Sequence, residues 1–378
     1  MRKLAATCLL LAAPTLQAGV YSAAEPSGMR AGRGGTLVEL PYVPPFKSFL
    51  EERLNAGNPL TPDAVGGVAT FRGLLKQRVE AQSANARRLP LPQQVAHAVD
   101  LIRVGRANDA VNLLEPRTRD RDPDYVAVLT LAHAYAARGD FGEAIRCHGL
   151  ATLDAQLPTQ LPGVLPELTK RYVELEKTHY ARWLQLRQRE SGQRDGLADQ
   201  EVLPLFGPTA RNPTQTPVNW VNDAGGYGSG KLAAAERAKL PPDAVAVVQQ
   251  LLLWSPDDTR LLWLLAELYV ADGQLREADQ VFDQCTWGRN FTNRRVLMQH
   301  RAVVRDLVAA LPAETLDILP DSRAGTAADT DAKIAQRWEE LQPRLVAAGG
   351  VLAAFATLFV ALAVRATLRR QPRTARDR

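Results

Sequence analysis

Three stretches of the chain share one spacing of small and large apolar residues. The first copy, in residues 95–115, carries Ala98, Leu101, Gly105, Ala110 and Leu114. Apolar residues three or four apart share one face of an α-helix, and a glycine just beyond such a run is typical of a helix end. The spacing therefore predicts three helical hairpins with a glycine at each turn. The second copy lies 34 residues later and has Ala132, Tyr135, Gly139, Ala144 and His148 at the five positions. The third copy lies near residue 270 and has Ala266, Tyr269, Gly273, Ala278 and Phe282 there.

A 34-residue period with these residue types resembles the tetratricopeptide repeat family. The resemblance implies that each unit is a pair of antiparallel helices and that the units stack into a solenoid with a concave side. The expected fold class is all-α, a helical-hairpin solenoid interrupted by a long loop insertion, with one transmembrane helix. An unrelated helical bundle that shares the spacing is the alternative.

The repeat array is not continuous, because Ala266 follows Ala132 by 134 residues, two fewer than four periods. An amphipathic pattern and then a Gly-, Pro-, Asn- and Asp-rich stretch separate the second copy from the third. Helices are expected near 46–54 and 62–82 in the N-terminal segment. The predicted division of the body is an N-terminal extended and helical segment 25–90, repeats one and two 91–158, an amphipathic helix 159–190, a loop-rich insertion 191–240, the third repeat with a capping helix 241–311, and a linker 312–344.

The two ends of the chain predict its location. Residues 1–24 have the form of a signal peptide, with a basic start, an apolar run and a cleavage site after Ala18 or Ala24. Residues 345–364 are free of charge, and twenty helical residues span about 30 Å, the thickness of a bilayer core. The arginine-rich tail 365–378 is expected to stay in the cytoplasm. We therefore expect a single-pass protein of the cell inner membrane with an extracytoplasmic body; a buried core helix at 345–364 is the alternative.

Small residues recur every fourth position in this apolar stretch, at Gly349, Ala353, Thr357 and Ala361. A stripe of small residues lets two helices approach closely in lipid. It makes homodimerisation possible, although a segment so rich in small residues produces such a stripe by chance.

The net charge of +5 is confined to the two ends of the chain. Arg2, Lys3 and the tail 365–378 account for more than the whole excess, which leaves the body at a net −2. Because the body is nearly neutral, we expect no nucleic-acid partner.

The sequence shows little that indicates catalysis. The string from Gly225 to Leu232 matches the first seven positions of a phosphate-binding loop, but Leu232 stands where that loop needs Ser or Thr, and a flexible turn fits better. Cys147 and Cys285 fall in second helices of distant repeats, where small buried apolar roles are expected. We therefore expect no catalytic residue, cofactor or metal.

The resemblance to the tetratricopeptide repeat family implies a partner-binding groove formed by the first helix of each repeat. A partner peptide or helix would lie in that groove. The alternative is that these residues only pack against the insertion or the N-terminal segment. The candidate groove residues are Val95, Val99, Leu129, His133, Arg260, Trp263 and Glu267.

These features together predict a membrane-anchored extracytoplasmic scaffold or adaptor that binds another protein in the cell envelope. Its lipid contact would be made through residues 345–364. The alternative is a substrate-gripping accessory subunit of a membrane-bound envelope enzyme or maturation complex. A protein that only self-associates is the third possibility.

Overall fold

The chain is mostly α-helical in the computed structural model. The model describes these residues: 29–31, 37–42, 46–119, 121–161, 164, 166–191, 202–207, 216–222, 226–227, 232–287 and 295–311.

Several predicted segments lie outside the described residues. They are the signal peptide 1–24, the linker 312–344, the apolar stretch 345–364 with its stripe of small residues, and the tail 365–378. Among the helices that the structure does describe, none combines the length and the apolar character needed to cross a bilayer.

The N-terminal segment contains two short antiparallel strand pairs besides helices. Strand β1 (Met29–Ala31) pairs with β2 (Leu37–Glu39), and β3 (Ala64–Val65) pairs with β4 (Val68–Ala69). The helices are α1 (Lys47–Gly57) and α2 (Phe71–Ser83).

The prediction of a helix over 62–82 was therefore wrong at its start. Gly66 and Gly67 have φ of +57° and +81°, a conformation that glycine adopts easily and that turns the chain between β3 and β4. Helix α2 begins only after Thr70, whose hydroxyl accepts a hydrogen bond from the Gly73 amide.

The three predicted hairpins are present, and each turns at its glycine. They are α3 (Leu91–Arg103) with α4 (Ala107–Leu114), α5 (Tyr125–Ala137) with α6 (Phe141–Gly149), and α11 (Thr259–Ala271) with α12 (Leu275–Trp287).

The three turns share one hydrogen-bond pattern. Gly105, Gly139 and Gly273 have φ of +80°, +83° and +76°. In each turn the amide after the glycine donates to a carbonyl five residues earlier, as from Asp140 to Tyr135 at 2.9 Å. This arrangement satisfies helix-end carbonyls and requires a left-handed residue, so the predicted role of the glycines is confirmed.

Four alanines of the first two hairpins lie in the core. Ala98, Ala110, Ala132 and Ala144 are fully buried, and α5 packs against α3, α4 and α6. The contacts of α5 therefore join the first two hairpins into one stack.

The segment after the second hairpin forms a helical rod with a widened turn inside it. Helix α7 (Pro166–Leu175) continues through a π-helical turn (Glu176–Tyr180) into α8 (Ala181–Ser191), and α8 packs against α6. The extra residue per turn rotates the face that follows, which brings Tyr180, Trp183 and Leu184 into the core.

The remaining helices enclose the third hairpin. They are α9 (Ala234–Arg237), α10 (Ala244–Trp254) and α13 (Arg295–Ala309); α10 packs against α11, and α13 against α12. The described parts of residues 191–240 also join the core, since Leu203, Leu205 and Phe206 are buried.

One side chain of α10 holds the N-terminal segment by two hydrogen bonds. The Leu40 amide donates to Gln249 Oε1, and Gln249 Nε2 donates to the Leu40 carbonyl, each at 2.9 Å. Gln249 is fully buried and also contacts the Tyr269 hydroxyl at 2.8 Å. This side chain therefore pairs with Leu40 in the way that a neighbouring strand would.

Candidate binding cavity

A cavity of about 470 Å³ opens beside the inner face of the first two hairpins. Its walls come from α1, α3, α4, α5, α6, α8, the end of α10 and the turn between α10 and α11. We call it the central cavity. Residues from both halves of the chain therefore build it; they include Arg53, Asn58, Val99, Arg103, His133, Ala137, Phe141, Trp183, Arg187, Trp254, Asp257 and Asp258.

Aromatic rings form the floor of the central cavity. His133 on α5 stacks on Tyr180 with ring centroids 4.1 Å apart, and Tyr180 stacks on Trp183 at 5.2 Å. The Trp254 ring meets both His133 and Tyr180 edge-on, at 5.3 and 5.6 Å. Stacked and edge-to-face pairs are favoured geometries for aromatic rings, so His133, Trp183 and Trp254, which line the cavity, pack with the buried Tyr180 into one aromatic cluster.

Charged groups line one side of the same cavity. Asp258 caps α11 by accepting from the Leu261 amide at 2.9 Å, and its other oxygen accepts from Trp183 Nε1 at 2.7 Å. Arg187 lies 3.5 Å from that oxygen and also over the Phe141 ring. Arg103 donates to the Trp254 carbonyl at 3.3 Å. Each charged group is therefore held in a fixed orientation by a second element.

A fully buried carboxylate lies behind the aromatic floor. Glu176 Oε1 is 3.2 Å from His133 Nε2, and the Glu176 carbonyl is 3.1 Å from His148 Nε2. Burial by itself raises the pKa of Glu176, but the neighbouring His133 and His148 outweigh it, so the pKa lies below its ordinary value. The Glu176 carboxylate thereby fixes the ring of His133, which forms part of the cavity wall.

The seven candidate groove residues do not form an open groove in the described fold. Each is less than a tenth exposed. Val99 and His133 line the central cavity, whereas Val95 and Leu129 belong to the core. Arg260 pairs with Glu190 of α8. Helix α8, Trp254 and the π-helical turn occupy the face that a partner would need along the first two hairpins.

Trp263 and Glu267 of the third hairpin are covered by a different set of residues. Glu267 Oε1 accepts from Trp263 Nε1 at 2.8 Å and contacts His300 Nδ1, and Oε2 accepts from the Tyr227 hydroxyl at 2.7 Å. The Tyr227 ring stacks on His300 with centroids 3.7 Å apart. The burial of Tyr227 and the nearby Glu267 carboxylate raise its pKa well above the ordinary value, so the hydroxyl stays protonated and donates.

Tyr227 is the residue whose role sequence analysis missed. It lies inside the glycine-rich string interpreted as a flexible turn, and a β-bridge to Val221 positions it. A large aromatic residue among glycines was the available signal for an anchor.

The described residues offer no arrangement typical of catalysis by a metal or a thiolate. No group of three or more His, Cys, Asp and Glu among them is placed to hold a metal ion. Cys147 and Cys285 are buried, and burial raises the pKa of Cys147 to about 11. A thiol with this pKa is protonated at neutral pH and therefore unreactive. The geometry of the central cavity is suited to binding.

Comparison of the chain with models of protein families, with curated proteins and with solved structures finds no match.

Proposed function

We propose that the chain is a non-catalytic helical-repeat protein of the tetratricopeptide type that binds a segment of another polypeptide in the central cavity. The single observation that carries the proposal is the cavity itself. Its volume of about 470 Å³ lies within the range of about 300–1,000 Å³ found for small-ligand sites, large enough for a few side chains of a partner.

The walls of the cavity indicate what kind of segment fits. Phe141, Trp183 and Trp254 offer aromatic faces, on which an apolar side chain of the partner would pack. Arg53 and Asp257 are among the charged groups beside them and suit the polar groups of a peptide. An extended segment with one apolar anchor residue and polar neighbours meets both requirements.

The proposed setting is the outer face of the inner membrane. It rests on the signal-like start 1–24, the apolar stretch 345–364 and the arginine-rich tail 365–378. In that setting the body would recruit or order another envelope protein.

Site-specific photo-crosslinking in the full chain, in the membranes of its host, tests the binding proposal. A photoreactive amino acid replaces Asn58 or Ala137, two exposed residues that line the cavity, or Gln280 as an exposed control on α12. We expect one polypeptide adduct from the cavity positions and none from Gln280. Ala137→Trp, which fills the cavity entrance, should abolish the adduct formed at Asn58, whereas Gln280→Trp should leave it unchanged.

The identity of the adduct separates the functional alternatives. An adduct with a non-enzymatic envelope protein supports the scaffold, and an adduct with a catalytic subunit supports the accessory-subunit alternative. An adduct only with a second copy of the chain indicates self-association. Equal adducts from Gln280 and the cavity positions would refute binding in the cavity.

A further inference from the structure

A second cavity of about 560 Å³ lies on the other side of α3 from the central cavity. The end of α2, the turn Ala86–Arg88, and helices α3 and α4 line it, and it is open to solvent. We call it the arginine cavity. Residues His97 and Leu101 of α3 line the arginine cavity, while Val99 and Arg103 of the same helix line the central cavity. The two cavities are therefore separate.

Positive charge dominates the arginine cavity. Arg87, Arg88 and Arg106 line it against a single carboxylate, Asp109, which Arg106 already binds with Nε 2.6 Å from Oδ2. Arg87 and Arg88 are exposed, and within the described part of the chain their side chains make no hydrogen bond or ion pair. Two guanidinium groups are thus available to a ligand, and the cavity has a net charge of +2 when His97 is neutral.

His97 contributes a neutral ring to the wall of the arginine cavity. The residue is only 2% exposed, and its Nδ1 has almost no accessible surface. Burial, with the positive charge of Arg106, lowers the pKa of His97, so the ring is neutral at neutral pH. His97 therefore adds no charge to the cavity, and the exposed guanidinium groups of Arg87 and Arg88 are the groups that a ligand can reach.

We infer that the arginine cavity binds the phosphate monoester group of a small ligand, with Arg87 and Arg88 on the phosphate oxygens. A guanidinium group presents paired donors that match two oxygens of a phosphate. A phosphate monoester carries close to two negative charges at neutral pH and balances the net +2, whereas a carboxylate would leave one positive charge uncompensated. The volume leaves room for an organic part beyond the phosphate.

The same chemistry could come from a soluble phosphate ester or from a phosphatidic acid head group. Isothermal titration of the purified full chain in detergent distinguishes these sources. The probes are glycerol 3-phosphate and dihexanoyl phosphatidic acid, with glycerol and dihexanoyl phosphatidylcholine as phosphate-free and zwitterionic controls at constant ionic strength.

We expect saturable binding of one phosphate monoester per chain. The double variant Arg87→Ala/Arg88→Ala should weaken it at least tenfold without changing the melting temperature, because neither side chain forms a hydrogen bond or ion pair with the described residues. Arg189→Ala/Arg295→Ala removes two exposed arginines outside the cavity and should leave the affinity within twofold. Binding of glycerol 3-phosphate identifies a soluble ester as sufficient, and binding of phosphatidic acid alone identifies the lipid; either result supports the inference.

No saturable binding of either probe would overturn the inference. An equal loss in the two arginine double variants would overturn it as well, because general charge attraction would then explain the binding.

Discussion

The second and third hairpins have the same turn and the same spacing, yet the inner faces of α5 and α11 have different surroundings. On α5 the hairpin supplies a histidine, His133, and the π-helical turn supplies the buried carboxylate of Glu176. On α11 the hairpin supplies the carboxylate of Glu267, and α13 supplies the histidine, His300. The first arrangement borders a cavity, whereas Tyr227 covers the second.

This difference shows which part of the fold is local and which is not. The hairpin turn depends on residues a few positions apart, so hairpins that share this local pattern have the same turn. The covering of the inner face depends on segments tens of residues away, such as Tyr227, which is 40 residues from Glu267. Repeats with one pattern can therefore present an open site in one place and a sealed core in another.

The largest loss of stability is expected when the buried carboxylate of Glu267 on α11, which Tyr227 covers, is removed. Glu267→Ala leaves the Trp263, His300 and Tyr227 donors without their acceptor in the core, so the free energy of unfolding should fall by about 3–5 kcal/mol. Urea denaturation of the purified chain measures the loss. Glu80→Ala, at an exposed site on α2, should stay within about 0.5 kcal/mol. A loss below about 1 kcal/mol for Glu267→Ala would show that α11 is not sealed through this carboxylate.

A smaller loss should follow from removing only the covering hydrogen bond. Tyr227→Phe deletes one donor to a buried carboxylate, which corresponds to about 1.5–3 kcal/mol. Tyr125→Phe is the matched control, because the buried Tyr125 hydroxyl has no hydrogen-bond partner among the described residues, and its loss should be neutral or slightly stabilising. Equal losses in the two variants would mean that ring packing, rather than the hydrogen bond, stabilises the contact.

Replacing the turn glycine should lower the free energy of unfolding by the same amount in the second and the third hairpin. Alanine at Gly139 or Gly273 must adopt a left-handed backbone, which costs about 1–2 kcal/mol at either site although nothing lies within 4 Å of the added methyl group. Gly149→Ala has equal space but a helical backbone, with φ of −58°, and should stabilise the chain by roughly 0.5–1 kcal/mol. Thermal unfolding distinguishes the expected destabilisation at Gly139 or Gly273 from the expected stabilisation at Gly149. A stabilised Gly139→Ala variant would contradict the left-handed turn.

The smallest expected effect is a pH dependence of stability that comes from Glu176, the buried carboxylate beside the central cavity. The pKa of Glu176 is lowered in the folded chain, so its contribution to stability is present above about pH 4.5, the ordinary value, and is lost as the pH falls through the folded pKa. Glu176→Gln removes the titrating group. The difference in unfolding free energy between the wild type and Glu176→Gln should therefore shrink as the pH falls below 4.5. If the difference in unfolding free energy instead grows as the pH falls, the pKa of Glu176 is not lowered in the folded chain.

The sequence is sufficient to predict the hairpins but not what covers them. Gly105, Gly139 and Gly273 end their helices because a left-handed residue is needed there, and that requirement is local. The β3–β4 turn could also have been predicted, since Gly66-Gly67 between Val65 and Val68 is a short-hairpin signal. The surrounding pattern, however, favoured a helix.

The candidate site was harder to predict, because its walls come from distant segments. The inner-face residues Val99 and His133 line the central cavity, but Trp183 and Trp254 complete it from α8 and α10. The π-helical turn that brings Tyr180 onto His133 has no periodic signature in the sequence. Burial of all seven candidate residues followed from these long-range contacts, which a 34-residue period does not encode.

The pairing of Leu40 with Gln249 has a consequence for the order in which the protein folds. These residues are 209 positions apart, so during synthesis the N-terminal segment emerges long before its partner exists. Contacts that close so long a loop are slow to form, and the chain should not mature hairpin by hairpin from its beginning. Until α10 arrives, the Leu40 amide and carbonyl remain dependent on water or on a chaperone, and a nascent chain stalled before residue 244 should be highly sensitive to proteases near its N-terminus.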